Sequence, residues 1–272
     1  MEILEITVLF VVLYAWKRTR RFTVYMLPWF LFGVIYMSMG FFPNYRVNTI
    51  DVRGLYEAER HLFGITTAAG TLIPGEWFAQ HHCAVADLLA GIFYLCWVPV
   101  PIAFSLYLYF TRRYEWVRRF TWAFLLVNIL GFIGYYIYPA APPWYAMNYG
   151  FTPVLHTLGN VAGLGRFDAL VGAPIFHSIY GKNANVFAAV PSLHAAYLLV
   201  TTIYSVKSRQ PWYASVLFAV ICVGIWCTAV YTGHHYVIDV LLGILTALVG
   251  TALFEWLWRK LATHTPAENK GE

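Results

Sequence analysis

Charge is what this sequence has least of. Only 11% of its 272 residues are Asp, Glu, Lys or Arg, against roughly 25% in soluble globular domains. A chain so poor in charge cannot clothe a water-facing surface, and 60% of it is hydrophobic, so a soluble enzyme and a disordered chain are both excluded. Cysteine is scarce as well. Cys83, Cys96, Cys222 and Cys227 stand in or beside apolar runs and form no CxxC pair, which reads as core-type residues with no disulfide framework. No internal repeat is evident. A cleavable leader is not expected either: the first apolar run has no basic flank or small-residue cleavage site, and Glu2 and Glu5 open it.

What the sequence has in quantity is apolar runs. A bilayer core of about 30 Å needs ~20 helical residues. Seven runs are candidates, at about 3–16, 22–42, 84–110, 119–138, 187–206, 212–231 and 235–258. They are continuously apolar, without the alternation of a barrel. The expected fold is therefore all-α, a polytopic transmembrane bundle of six to seven spans with an interfacial helix and long outer-face loops. The run at 3–16 is short enough either to span or to lie on the surface.

The basic residues set the orientation. Lys17, Arg18, Arg20, Arg21, Arg112, Arg113, Arg118, Arg119, Lys207, Arg209, Arg259, Lys260 and Lys270 put 13 of the 18 Lys and Arg on one side. By the positive-inside rule that side is cytoplasmic. The chain then divides into an N-terminal hairpin (1–42), an outer-face interfacial segment (43–83), a catalytic core (84–258) that includes an outer loop at 139–186, and a cytoplasmic tail (259–272). In the interfacial segment Val52, Leu55, Tyr56, Leu62 and Phe63 recur near helical spacing against Asp51, Arg53, Glu57 and Arg60. The 139–186 loop is rich in Pro, Gly and aromatics, which suits a lid folded back over the membrane surface.

Titratable residues gather on the outer face. One run opens with Val190-Pro191-Ser192-Leu193-His194, Pro191 fitting a first helical turn. Another opens with Tyr231-Thr232-Gly233-His234-His235-Tyr236-Val237-Ile238-Asp239. Four residues apart, His235 and Asp239 would stack on one helix face. The carboxylate would then hold one imidazole nitrogen and leave the other free as base or nucleophile. Nearby helix N-termini favour an anion such as phosphate. A metal site built from His194, His235 and Asp239 is the alternative, but no close ligand pair supports it. Asp87 is placed to reach the site, while Glu255, at the inner end, reads as interfacial.

These residues resemble the type 2 phosphatidic acid phosphatase superfamily, which pairs a Pro-Ser…His motif with H-x-x-x-D two helices later. Tyr138-Pro139-Ala140-Ala141-Pro142-Pro143-Trp144-Tyr145 and Gly165-Arg166-Phe167-Asp168-Ala169-Leu170 select its inositol phosphorylceramide synthase-like branch. The resemblance implies His235 as nucleophile, Asp239 as its orienting partner and His194 as general acid and base. The phosphatases' basic K-x6-R-P motif is missing from Asn128 to Pro139, and their Ser-Arg pair is replaced by Thr228 and Ala229. Arg166, Lys182 and His234 are the local cations left to meet phosphate. Asp168, Trp144, Tyr145 and Tyr231 complete the candidate substrate-binding set.

The implied activity moves inositol phosphate from phosphatidylinositol onto a lipid hydroxyl such as that of ceramide, through a phosphohistidine. No metal, cofactor or nucleic acid is expected. A lipid phosphate or pyrophosphate phosphatase on the same scaffold is the alternative. A transporter with a His/Asp relay is the third reading, against which stands the absence of midplane charge and of an inverted repeat.

Overall fold

The computed structural model describes residues 3–181 and 185–264. It is helical apart from one small hairpin, whose strands β1 (Ile65–Thr67) and β2 (Gly70–Leu72) pair antiparallel. The helices of the N-terminal hairpin are α1 (Ile3–Ala15) and α2 (Arg20–Ser38). The outer segment supplies α3 (Arg53–Phe63) and α4 (Pro74–Gln80). Next come α5 (Ala84–Leu95), α6 (Pro99–Phe110) and α7 (Tyr114–Ile137). Three short helices fold the outer loop, α8 (Pro143–Tyr149), α9 (Gly165–Val171) and α10 (Ile175–Tyr180). The chain closes with α11 (Leu193–Lys207), α12 (Trp212–Tyr231) and α13 (Val237–His264).

At the centre α11 packs against α7, α12 and α13, with α5 on α12 and α2 on α7. Phe120, Phe124, Tyr197, Leu198 and Tyr204 are buried there. Leu217, Val220 and Val223 of α12, and Leu241, Leu245 and Leu248 of α13, point outward and are exposed. Outward apolar stripes on helices of 20 and 28 residues have lipid as their solvent, and the protein is an integral membrane protein. By length and composition α7, α12 and α13 can each cross a bilayer.

Two expected runs differ from single helices. The run at 84–110 is broken into α5 and α6, which meet at 43°. Pro99 and Pro101 stand at the start of α6, and proline ends the ladder of the turn before it. The run at 187–206 yields only the 15 residues of α11, because Phe187 lies in a turn and Ala188 bridges Ala140 instead of joining a helix. Ala140 N–H donates to Phe187 O at 3.1 Å and Ala189 N–H to Ala140 O at 3.3 Å, while Asp51 N–H donates to Pro139 O at 2.8 Å. The Pro139-Ala140-Ala141 stretch thus lies as a seam between Asp51 and residues 187–189, and Pro142 after it favours extended backbone. Of the cysteines, all free, only Cys222 is buried, while Cys83 and Cys227 are exposed. The core reading holds for that one residue, since apolar side chains on a lipid-facing surface need no burial.

Candidate active site

Ser192 caps α11, its Oγ accepting Ala195 N–H at 3.4 Å. Because the hydroxyl replaces the first missing helical bond, the helix starts after Ser192, leaving Pro191 outside the expected first turn. His194 falls inside that turn. Opposite, Gly233 has φ +71°, a left-handed turn that suits glycine, and both His234 and His235 donate N–H to Ala229 O at 3.0 Å. Helix α13 begins at Val237, two residues beyond His235. The histidine and Asp239 therefore do not share a helix face. One is held from the turn and the other from the first helical turn, yet His235 Nδ1 and Asp239 Oδ2 lie 3.3 Å apart. The same oxygen accepts Tyr236 N–H at 2.9 Å, as a third helical residue reaching back over its cap does.

With Nδ1–H given to Asp239, His235 Nε2 carries the lone pair. His194 Nδ1 lies 3.0 Å from it. His194 is itself flanked by Trp97 and Tyr94, with ring centroids at 4.4 and 5.1 Å. Ser192 N–H donates to Asp239 O at 3.0 Å, joining the two histidine-bearing elements directly. Gly243 makes that approach possible: a Cβ there would stand 2.1 Å from Ser192 O.

The α13 N-terminus is not open to phosphate, contrary to expectation. Glu59 of α3 fills it, accepting Val237 N–H at 2.8 Å and Ile238 N–H at 3.1 Å. The residue is 1% exposed. Burial pushes its carboxyl above the usual range, and the two N–H groups pull the other way. Sequence reasoning missed Glu59, although a carboxylate four residues after Leu55, on the buried stripe of an amphipathic helix, was a readable sign.

Two neighbouring cavities lie at this end of the bundle. One, of about 90 Å³, is lined by His194, His235 and His234 together with Tyr135, Tyr180, Trp144 and Asn160. The other, of about 240 Å³, is lined by Arg166, Asn148, Tyr231 and Thr232, again with Trp144 and Asn160. Tyr180, Asn160 and Trp144 come from the 139–186 loop, so that loop walls the histidine cavity as expected of a lid. Nothing in the spacing of Tyr135, Asn160 or Tyr180 marked them beforehand.

The candidate binding residues separate. His234 and Trp144 line the histidine cavity. His234 Nδ1 is 3.0 Å from Thr232 Oγ1, whose own proton goes to Thr228 O. Burial, then His235 and His194, lower the pKa of this imidazole below its ordinary range. Arg166 does not pair with Asp168. Its Nε is 2.6 Å from Asp87 Oδ1, which also accepts Tyr231 Oη–H at 2.8 Å. Asp168 instead caps α10, accepting Phe176 and His177 N–H, both at 3.0 Å, and facing His177 Nδ1 at 2.7 Å. Tyr145 accepts Val154 N–H at 2.6 Å and bonds Thr152 O. Asp168 and Tyr145 line neither cavity, their polar atoms being spent on the loop's own fold. Lys182 lies outside the described residues. Glu255 is buried between helices, bonded to Arg119, to Tyr204 Oη at 2.7 Å and to Lys207 at 3.3 Å. Among the described residues no group of three His, Cys, Asp or Glu is arranged to hold a metal ion.

A histidine pair backed by an aspartate at the end of a helical bundle matches the family recognised from the motifs. Residues 55–253 match the PAP2 superfamily, and the chain belongs to it. Within it, the chain is 58% identical over 246 residues to the phosphoinositol dihydroceramide synthase of Bacteroides thetaiotaomicron, covering 90% of this chain and 81% of that protein. It is 26% identical to the inositol phosphorylceramide synthase of Candida albicans over 88% of this chain. With the catalytic subunit of the Schizosaccharomyces pombe inositol phosphorylceramide synthase it shares 27% identity over 80% of the chain. The chain spans about half the length of these two fungal relatives, 48% and 50%. No solved structure matches it.

Proposed function

We propose that the protein transfers the inositol phosphate headgroup of phosphatidylinositol to the primary hydroxyl of a ceramide-type lipid, through a phosphohistidine on His235. The observation that carries this is the 3.0 Å contact between His194 Nδ1 and His235 Nε2, with Asp239 behind the second ring. The names of the Bacteroides and fungal relatives supply the substrate classes.

The donor's phosphodiester enters between the two rings, and its charge favours the imidazolium form of His194. The His235 Nε2 lone pair attacks phosphorus. The bond from phosphorus to the diacylglycerol oxygen breaks, and His194 gives that oxygen a proton. Diacylglycerol leaves neutral, and inositol phosphate remains on His235 while Asp239 stabilises the charged ring. The neutral His194 then takes the proton of the acceptor hydroxyl, whose oxygen attacks phosphorus and frees His235. Trp144, Asn160 and Tyr180 over the cavity favour a lipid hydroxyl over water.

We propose that the reaction takes place at the non-cytoplasmic face. The basic end of the bundle joins Arg119, Lys207 and Glu255, whereas the histidines lie at the opposite ends of α11 and α13. The test is mass spectrometry of lipids made by the purified chain from headgroup-labelled phosphatidylinositol with and without ceramide. Labelled inositol phosphorylceramide is the expected product. Release of free phosphate from phosphatidate without acceptor-dependent product would replace this reading by the phosphatase one.

A further inference from the structure

The headgroup transfer proposed above has a geometric requirement. Inositol phosphate stays on the enzyme while one lipid leaves and another arrives, so the cyclitol ring needs a place adjoining the phosphorus but off the route of both lipids. The histidine cavity, at about 90 Å³, is the smaller of two. Its neighbour, at about 240 Å³, shares the wall formed by Trp144 and Asn160. A third hollow, between α5 and α12, is lined almost wholly by apolar residues such as Leu89, Phe93 and Val223, which suits acyl chains.

We propose that the cavity between Arg166, Asn148 and the Trp144–Asn160 wall holds the cyclitol ring of the donor. A cyclitol presents a rim of vicinal hydroxyls around an apolar ring face. The cavity offers the complement. Trp144 supplies an aromatic surface, and Asn148 and Asn160 supply amides. Arg166 supplies a guanidinium whose Nε is fixed by Asp87 at 2.6 Å and whose plane lies over Tyr231 at 5.0 Å. Its buried Nη2 meets no acceptor within the protein. A guanidinium held rigid at the wall of a polar hollow suits hydroxyl oxygens as ligands. A site built to bond hydroxyls also rejects headgroups that carry fewer of them. Asp87, which the sequence placed near the site, is then a positioning residue acting through Arg166.

The test uses the full chain in lipid nanodiscs, with phosphatidylinositol or phosphatidylglycerol as donor and ceramide as acceptor. Ala79 lines the cavity, so Ala79→Leu narrows it; Asn148→Ala and Arg166→Gln remove donors. The expected result is a donor KM raised about tenfold or more, an equal loss of preference for phosphatidylinositol over phosphatidylglycerol, and an unchanged ceramide KM. Variants that keep the parent's donor KM and preference overturn the assignment. Thermal shift of the same proteins with inositol 1-phosphate against inorganic phosphate reads the site without turnover. A larger shift from inositol 1-phosphate that Ala79→Leu and Asn148→Ala abolish supports the cavity even if the lipid product proves different. Equal shifts, or a shift the variants retain, reject it. Arg166→Gln alone failing to fold leaves the other two variants to decide.

Discussion

His235 is set by three bonds at once: its backbone to Ala229, Nδ1 to Asp239 and Nε2 to His194. The last must open for phosphorus to enter. A structure with bound vanadate is expected to place the anion between the rings and to lengthen the present 3.0 Å separation. An anion bound elsewhere, with the ring contact intact, would remove His235 as nucleophile. His235→Ala is expected to make no product at wild-type protein levels. His194→Ala and Asp239→Asn should lower turnover by about 10²–10⁴, read as labelled lipid per mole of folded protein. That these three residues come together was legible because motif spacing is local, and the structure sets His194 and Asp239 on either side of His235. Glu59 was not assigned a partner beforehand, since its donors, Val237 and Ile238, lie nearly 180 positions along the chain.

At the scale of elements, α3 is a clamp on α13 as well as an interfacial helix. Glu59→Gln leaves one oxygen for two N–H groups and turns an amide toward the other. A small displacement of a catalytic group can cost about 10² in rate. The expected outcome is kcat reduced tenfold or more with donor KM within about threefold. A variant that raises KM and spares kcat would make Glu59 a binding residue instead. The lid elements α9 and α10 depend on Asp168. Burial opposes its charge, yet the Phe176 and His177 N–H groups and the His177 ring hold its pKa below the ordinary value. A lowered folded-state pKa stabilises above the unfolded value and is lost as pH falls through the folded one. Asp168→Asn should therefore lower Tm at neutral pH by the equivalent of about 1 kcal/mol, and the gap should close in acid. Apolar length revealed where helices run. It could not show that Ala188 leaves the helical run to bridge Ala140, because that partner is distant in the chain.

Across the whole molecule, the histidine pair and the Arg119–Glu255–Lys207 cluster occupy opposite ends. Cys83 is exposed beside the start of α5, at the histidine end. A membrane-impermeant maleimide is expected to label it from the non-cytoplasmic side, and labelling only after permeabilisation would invert the orientation. At the other end Glu255 joins α7, α11 and α13 through Arg119, Lys207 and Tyr204. Glu255→Gln removes the buried carboxylate that Arg119 and Lys207 share and leaves Arg119 with Glu115 at 3.4 Å, which should lower Tm, with donor and acceptor KM unchanged in the protein that remains folded.

The amino-acid sequence by itself determined the solvent of this protein, its helical class and its superfamily, and it carries the expectation for its orientation and for the chemistry of its histidines. Those properties follow from apolar run length, from counts of basic residues near span ends and from motifs a few residues long, all of which are local. The tertiary structure alone decided that Glu59 fills the α13 N-terminus, that Arg166 turns to Asp87, that Asp168 is spent on a cap and that a second polar cavity adjoins the histidines. Each of these is a choice among several carboxylates and donors of similar chemistry. Distance in space makes that choice, and distance along the chain does not encode it.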